Sequence, residues 1–249
     1  MKNDIMFKGK TAIITGAAVG IGRAVGMVLA EGGANVVLVD LNPETLATTE
    51  KEIKAITENV LAITCDVSDN EAVQEAVKKA NARFGKVDIL VNNAGLWRQR
   101  GYFTEVSLDL WKRFLDVNVM GAVNFTKAVI DEMIESGYGR IINVASVAGV
   151  YGGKKFCHYS ATKGALIAFT KSLAKEVATQ GITVNAVSPG TVSPSENRDI
   201  DSYTESPLSH MGRTGTNREN ADLICFLASE KAGYISGQNI QIDGCRAKF

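Results

Sequence analysis

A doubly wound α/β fold on a parallel sheet is what this 249-residue chain predicts, and three observations predict it. Short β-branched runs recur along the chain, apolar at successive rather than alternate positions, as strands covered on both faces must be. Longer stretches with helical spacing lie between them, suited to right-handed crossovers joining parallel strands. The first run opens into a glycine-punctuated passage from strand to helix, where a fold of this kind presents backbone N–H groups and a helix dipole to an anion.

The runs are TAIIT (11–15), NVVLVD (35–40), VLAITCD (60–66), VDILVNNA (87–94), GRIINVAS (139–146), GITVNAVSPG (181–190) and NIQIDG (239–244). After the third, Asp69 is the candidate cap of the next helix. After the fifth, TKGALIAFTKSLAKEVATQG carries apolar residues at helical spacing up to a glycine stop. The one long irregular stretch, 191–216, is polar and without periodicity, the kind of segment that forms a lid over a site or stays disordered. No repeat or low-complexity linker interrupts the chain, so a single domain over 1–249 is expected.

A content of 45% hydrophobic and 22% charged residues is enough to bury a full core. The 27 basic and 27 acidic side chains cancel, which argues against a nucleic-acid or membrane-surface binder and for a small-molecule partner. Cys65, Cys157, Cys225 and Cys245 are scattered without a C-x-x-C pair, and only two histidines accompany them. Neither a metal site nor a disulfide framework is expected, and four reduced thiols suit the cytoplasm. The first ten residues are too polar and short for a signal peptide, and no apolar run approaches the ~18 residues of a membrane span.

The glycines of TGAAVGIG, Gly16, Gly20 and Gly22, with Ile21 between the last two, allow a tight turn and a close approach of backbone to a pyrophosphate. Their spacing is G-x-x-x-G-x-G rather than G-x-G-x-x-G. The second strand ends in Asp40, placed to accept hydrogen bonds from the adenosine-ribose hydroxyls and to repel a 2′-phosphate. No Arg or Lys occupies 17–19 and Leu41 follows the aspartate, so NAD is expected over NADP; Arg23, inside the next helix, is the residue that weakens this choice. Asp66 and Val67 end the third strand where the adenine edge would lie, with capping as the other role open to Asp66. Asn93, Ala94 and Gly95 end the fourth, where small residues suit close passage of a cofactor.

Tyr-x-x-x-Lys occurs twice. Between Tyr151 and Lys155 stand Gly152 and Gly153, which disfavour a helix and leave that pair no fixed relation. Tyr159 and Lys163 lie on one face of the helix after the fifth strand, thirteen residues beyond Ser146. His158 neighbours Tyr159, but adjacent helical residues point about 100° apart, so it is read as structural.

TGAAVGIG, Asp40, NNAG, NVMGA, the Ser146 to Tyr159 spacing, YSATK and SPG, in this order, resemble the short-chain dehydrogenase/reductase family of ~250-residue, Rossmann-type enzymes, over essentially the whole chain. The resemblance implies that Tyr159 is the general acid/base and that Lys163 binds the nicotinamide ribose and tunes the phenol. It implies that Ser146 bonds the reacting oxygen and that Asn118, through its backbone carbonyl, holds a water leading from the lysine to solvent. Pro189, Gly190 and Val192 would then border the nicotinamide. Pro194 stands where the family has a threonine, flanked by Ser193 and Ser195, and Cys245 stands where the family often has a glycine, at a subunit contact. The two helical segments 108–136 and that after Tyr159 pair between subunits in family members, commonly as a homotetramer.

The expected activity is NAD(H)-dependent interconversion of a secondary alcohol and a ketone. Its rivals are an NADP-linked 3-oxoacyl thioester reductase, which would want basic residues near Asp40 and a docking patch for an acidic carrier, and a catalytically silent nucleotide-sensing protein. Substrate choice sits in loops 96–103, 147–157 and 191–212. Arg98 and Arg100 on the first of these, with Lys154 and Lys155 near the same mouth, are candidates to hold an anionic substrate group, against an ordinary role as solvated cations.

Overall fold

The structure, a computed structural model, describes residues 6–247; the reading of residues 1–5 as too polar for a signal peptide falls outside them. Every expected run contains a strand: β1 (Thr11–Thr15), β2 (Asn35–Asp40), β3 (Val60–Thr64), β4 (Ile89–Asn92), β5 (Gly139–Val144), β6 (Ile182–Pro189) and β7 (Asn239–Ile242). The main helices are α1 (Gly20–Glu31), α2 (Pro43–Lys54), α3 (Asn70–Phe84), α4 (Leu108–Leu115), α5 (Gly121–Glu135), α6 (Val147–Tyr151), α7 (Cys157–Val177) and α8 (Asn217–Ala228). The strands form one sheet in the order β3-β2-β1-β4-β5-β6-β7, every pair parallel. The winding reverses between β1 and β4, and ligands of open α/β sheets bind in the crevice beyond the carboxyl ends at that point.

Successive strand residues feed opposite cores, which is why the runs are apolar throughout. Ala12, Ile14, Val36 and Leu38 pack with Leu29 of α1, Leu46 and Ile53 of α2 and Ile224 of α8. Ile13, Val37 and Val39 pack on the other face with Val73 of α3, Phe125 and Met133 of α5 and Ala174 of α7. Each fully buried Val, Leu or Ile side chain contributes roughly 1.5–3 kcal/mol. Helix starts are fixed locally: Asn42 accepts from the Glu44 and Thr45 amides with Pro43 following it, and Asp69, as expected, accepts from those of Glu71 and Ala72. Thr216 and Glu219 form a capping box on α8.

Two segments differ from the sequence expectation. The helical stretch 108–136 contains a π-helical turn, Asp116–Met120, between α4 and α5. The backbone there lies so close to the segment after β3 that a Cβ on Gly121 would stand 2.6 Å from Val67 Cγ2. Of the loop 147–157, the first five residues form α6, capped by Ser146 and stopped at Gly152, whose φ of 79° is in the left-handed region. The irregular stretch 191–216 is tied down at both ends: Val192 bridges Gly215, and Arg198 Nε donates to Glu52 Oε1 at 2.6 Å. Glu52 Oε2 accepts from Arg23 Nε at 2.6 Å, and Arg23 Nη1 donates to the Arg198 carbonyl at 2.8 Å. Polar composition made this segment look loose; a charge cluster across 146 residues of chain, invisible to local patterning, holds it.

Candidate active site

Along the carboxyl ends of the strands runs a cleft of about 1280 Å³. One end of it is built from β1 and β4. Thr15 Oγ1 accepts from the amides of Asn93 and Ala94, each at 3.0 Å, and Asn93 Nδ2 donates to the Thr15 and Gly16 carbonyls, each at 3.0 Å. The glycine turn and the NNAG segment are therefore one cradle. Gly16, with φ of 62°, passes so close to NNAG that a Cβ would stand 2.8 Å from Ala94 Cα. Gly22 does not line the cleft; it lies behind the turn, where a Cβ would come 2.2 Å from the Gly16 carbonyl oxygen. Asp40 lines the cleft beside Leu41, its carboxylate accepting from the Ala18 amide at 3.0 Å and from that of Asn42 at 3.1 Å. Arg23 is buried and engaged by Glu52 and Arg198, and it does not line the cleft. Asp66 Oδ1 accepts from the amide and hydroxyl of Ser68 and, with Val67, lines the cleft.

The residues present fit a dinucleotide. The floor is bare backbone at Gly16 and Gly20, both in the left-handed region, and it is left so at the far end as well, where a Cβ on Gly95 would stand 3.3 Å from Lys163 Nζ. Ile21, Ala94, Pro189, Gly190 and Val192 border the same cleft.

At its other end stand Ser146, Tyr159 and Lys163. Ser146 has extended backbone and caps α6, its Oγ accepting from the Ala148 amide at 3.1 Å; it also hydrogen-bonds the Tyr159 hydroxyl. Burial pushes the Tyr159 phenol above its ordinary pKa, and the Ser146 bond opposes that rise. Lys163, one turn on, is buried, which brings its ammonium down to a pKa of about 8. Its Nζ donates to the Val144 carbonyl at 2.7 Å and lies 5.9 Å from the centre of the Tyr159 ring. A Cβ on Gly149 would stand 2.6 Å from the Lys163 carbonyl carbon, so α6 can press against α7 only through a glycine.

Asn118, in the π-helical turn, is also outside the cleft wall. Its side-chain oxygen accepts from the Leu96 amide at 2.6 Å, and its Nδ2 donates to the Leu96 carbonyl and to Thr162 Oγ1, both at 3.0 Å. The side chain thus pins the strand-end loop to the helix that carries Tyr159. His158 is fully buried, with Nε2 3.0 Å from the Gln99 carbonyl and its ring edge-on to Phe114 at 4.4 Å. It points away from the phenol, as its neighbouring position on the helix implies.

The rim sorts the basic side chains. Arg98 pairs with Glu196 of the 191–216 segment and donates to Ser195 Oγ at 3.4 Å. Arg100 lies over the Phe156 ring at 4.5 Å, Lys154 lines the cleft, and Lys155 turns to the ring of Tyr102 at 4.5 Å. At the threonine-to-proline position, Ser193 Oγ is 3.1 Å from Ser202 Oγ, so both flanking serines are occupied within the loop and rim. Thr15, Thr162, Glu52 and Arg198 were not found from the sequence. Each works through partners far away in the chain, and only the adjacency of Thr15 to the glycine turn offered a signal. All four cysteines are free thiols, no group of His, Cys, Asp and Glu among the described residues could hold a metal ion, and none of their helices is long and apolar enough to cross a membrane.

A family model for short chain dehydrogenases matches residues 10–204. The chain is 40% identical over 250 residues to a 2-dehydro-3-deoxy-L-rhamnonate dehydrogenase (NAD(+)) of Sphingomonas sp. (strain SKA58), covering 98% of this chain and 97% of that protein. It is 38% identical over 240 residues to a 3-oxoacyl-acyl-carrier-protein reductase of Thermotoga maritima, covering 95% and 97%. With the reductase of the same description from Escherichia coli it shares 37% over 245 residues, covering 96% and 97%.

Proposed function

Since the chain belongs to the short-chain dehydrogenase family, we propose that it is an NAD(H)-dependent oxidoreductase interconverting a secondary alcohol and a ketone. The observation that carries this reading is the meeting of Ser146, Tyr159 and Lys163 at one end of a glycine-floored cleft with Asp40 at the other. A bound dinucleotide would supply the hydride acceptor or donor and, when oxidised, a positive charge near the phenol. Gly16, Gly20 and Gly95 leave room for it, and Asp40 would accept from the adenosine ribose.

In alcohol oxidation the phenolate of Tyr159 takes the hydroxyl proton; in ketone reduction the phenol returns it to the same oxygen. Ser146 donates to that oxygen and so steadies the charge that develops there. Bringing a phenol from a pKa near 10 to ~7 takes about 4 kcal/mol of preferential phenolate stabilisation. Burial alone works against this, so the charge of Lys163 is what favours the phenolate once the Ser146 hydroxyl has turned from Tyr159 to the substrate oxygen. With a pKa of about 8, Lys163 is mostly protonated at neutral pH and able to do so. Asn118 and Gly149 act by holding loop 96–101 and α6 against α7.

NAD is favoured because Asp40 faces the cleft, and Arg23, the nearest alternative for a 2′-phosphate, is consumed by Glu52 and Arg198. The similarity to two 3-oxoacyl reductases supports a second reading, a reductase of 3-oxoacyl thioesters. A panel of secondary alcohols, 3-hydroxyacyl thioesters and the matching ketones, assayed with NAD(H) and NADP(H), separates the two. Turnover of the simple alcohols with NAD supports the first; turnover confined to thioesters with NADPH supports the second. Tight NADH binding with no turnover would instead return the chain to a nucleotide-sensing role.

We further take the protein to be a homo-oligomer, since Leu108, Leu115 and Met120 are exposed along the α4 to α5 rod at 77%, 41% and 45%. The four free thiols support a reducing, cytoplasmic setting.

A further inference from the structure

Of the cations at the mouth of the cleft, Arg98 is paired with Glu196, and Lys155 lies on the ring of Tyr102. Arg100 is different. Among the described residues no carboxylate pairs with it, and its guanidinium carbon lies over the Phe156 ring, 4.5 Å from the ring centre. A guanidinium presents five N–H donors in one plane. Phe156 in turn packs on Tyr159, ring centres 5.7 Å apart, and all three line the cleft.

The backbone on either side of Arg100 is fastened to the segment that leads into α7. The Gln99 carbonyl meets Nε2 of buried His158 at 3.0 Å, and the Gly101 amide donates to the Lys155 carbonyl at 3.1 Å. The loop that carries the arginine is thus fastened to the segment that carries Tyr159, and one ring, that of Phe156, lies between the guanidinium and the Tyr159 ring. Lys154 adds a second positive charge at the same cleft.

Resting on the oxidoreductase reading above, we propose that Arg100 is the specificity-determining residue for an anionic substrate: the alcohol or ketone carries a carboxylate or phosphate a few carbons from the reacting carbon, bound by the Arg100 guanidinium. Arg98 has no such role, because Glu196 already neutralises it and the pair serves to join the 96–101 and 191–216 loops. A planar fork of donors suits either oxyanion in bidentate fashion, whereas a neutral group gains at most one ordinary hydrogen bond there.

The test is a matched series assayed with NAD: 3-hydroxybutyrate, 4-hydroxypentanoate and 5-hydroxyhexanoate, their methyl esters, and the 1-phosphates of propane-1,2-diol, butane-1,3-diol and pentane-1,4-diol. Wild-type protein should turn over at least one anionic member with kcat/KM roughly tenfold or more above its neutral counterpart, the hydroxy acids and phosphates showing which oxyanion is meant. Arg100→Ala should raise KM for that member by roughly 10- to 100-fold and leave the ester within about twofold, Arg100→Lys should recover part of the loss, and Arg98→Ala should keep the preference for the anion. Esters used as well as acids or phosphates by the wild type, or equal losses on both in Arg100→Ala, overturn the role of Arg100 and leave the oxidoreductase reading standing. Failure of every member, charged and neutral, with NAD and with NADP overturns both.

Discussion

At Tyr159 two opposed influences meet, since burial raises the phenol and the Ser146 hydroxyl bonded to it works the other way. Tyr159→Phe is expected to bind NADH as the wild type does and to lose turnover by ~10²-fold or more, because in the proposed mechanism the hydroxyl acts on the substrate oxygen and not on the nucleotide. Steady-state kinetics beside fluorescence titration of NADH measures both, and retention of more than about a tenth of kcat would remove the tyrosine from this role. Lys163 is the natural probe of linkage. Its folded-state pKa is lowered to about 8 by burial, so between pH 8 and its ordinary value near 10.5 the unfolded chain binds the extra proton. Stability should therefore rise with pH across that window, by up to about 3 kcal/mol from this group alone. Below pH 8 both states are charged and the cost of burying the ammonium is fully present. Urea denaturation of the cofactor-free protein at pH 7.5 and 9.5 should show the rise, and Lys163→Met should lack it.

Among the elements, the 191–216 segment depends on the Arg23, Glu52 and Arg198 cluster that ties α1 and α2 to it. Burial raises the Glu52 pKa, but hydrogen bonds from Arg198 and Arg23 outweigh it and hold the carboxyl below the ordinary carboxylate range. Its contribution to stability is thus present above pH ~4.5 and fades as the pH falls through the lowered value. Glu52→Ala leaves Arg23 buried without its carboxylate and should cost about 3 kcal/mol. It should also expose 191–216 to proteolysis, which limited digestion followed by mass spectrometry locates. Kd for NADH and KM for substrate should both rise, because Ser195 of the segment lies against the glycine turn, 3.1 Å from where a Cβ on Gly20 would stand, while its neighbours line the cleft. The cradle has its own test in Gly22→Ala: a methyl placed 2.2 Å from the Gly16 carbonyl oxygen cannot be absorbed by a side-chain shift, so NADH binding should be lost, or the protein should fail to fold, whereas Gly137→Ala, with nothing within 4 Å of its added Cβ but a φ of 63°, should cost only about 1 kcal/mol.

For the whole molecule, the exposed apolar positions along the α4 to α5 rod lead us to expect association. Light scattering at micromolar concentration should give a mass well above the 26.6 kDa of one chain, and Leu108→Glu combined with Met120→Glu should shift it towards the monomer. A wild-type monomer under these conditions would sink the homo-oligomer reading. Asp40→Ala belongs to this scale too, because the carboxylate both bonds the turn at Ala18 and faces the cleft. It should weaken NAD use and narrow the gap to NADP, read as the ratio of kcat/KM values.

The sequence by itself determined the sheet and the two ends of its cleft. Strand identity follows from contiguous apolar runs, and the placement of Gly16, Gly20, Asp40, Ser146, Tyr159 and Lys163 follows from where such runs end, because side chains at strand ends and at i and i+4 of a helix are located by local geometry alone. The tertiary structure alone decided what holds those groups in place. Asn118 reaches Leu96 and Thr162, Arg23 reaches Glu52 rather than the cleft, and Arg98 and Arg100, two residues apart on one loop, are divided into a cation paired with a carboxylate and one set over an aromatic ring. Such partners stand 22 to 98 residues apart in the chain, and the energy of a hydrogen bond or ion pair depends on ångström-scale distance and burial, which no sequence period encodes.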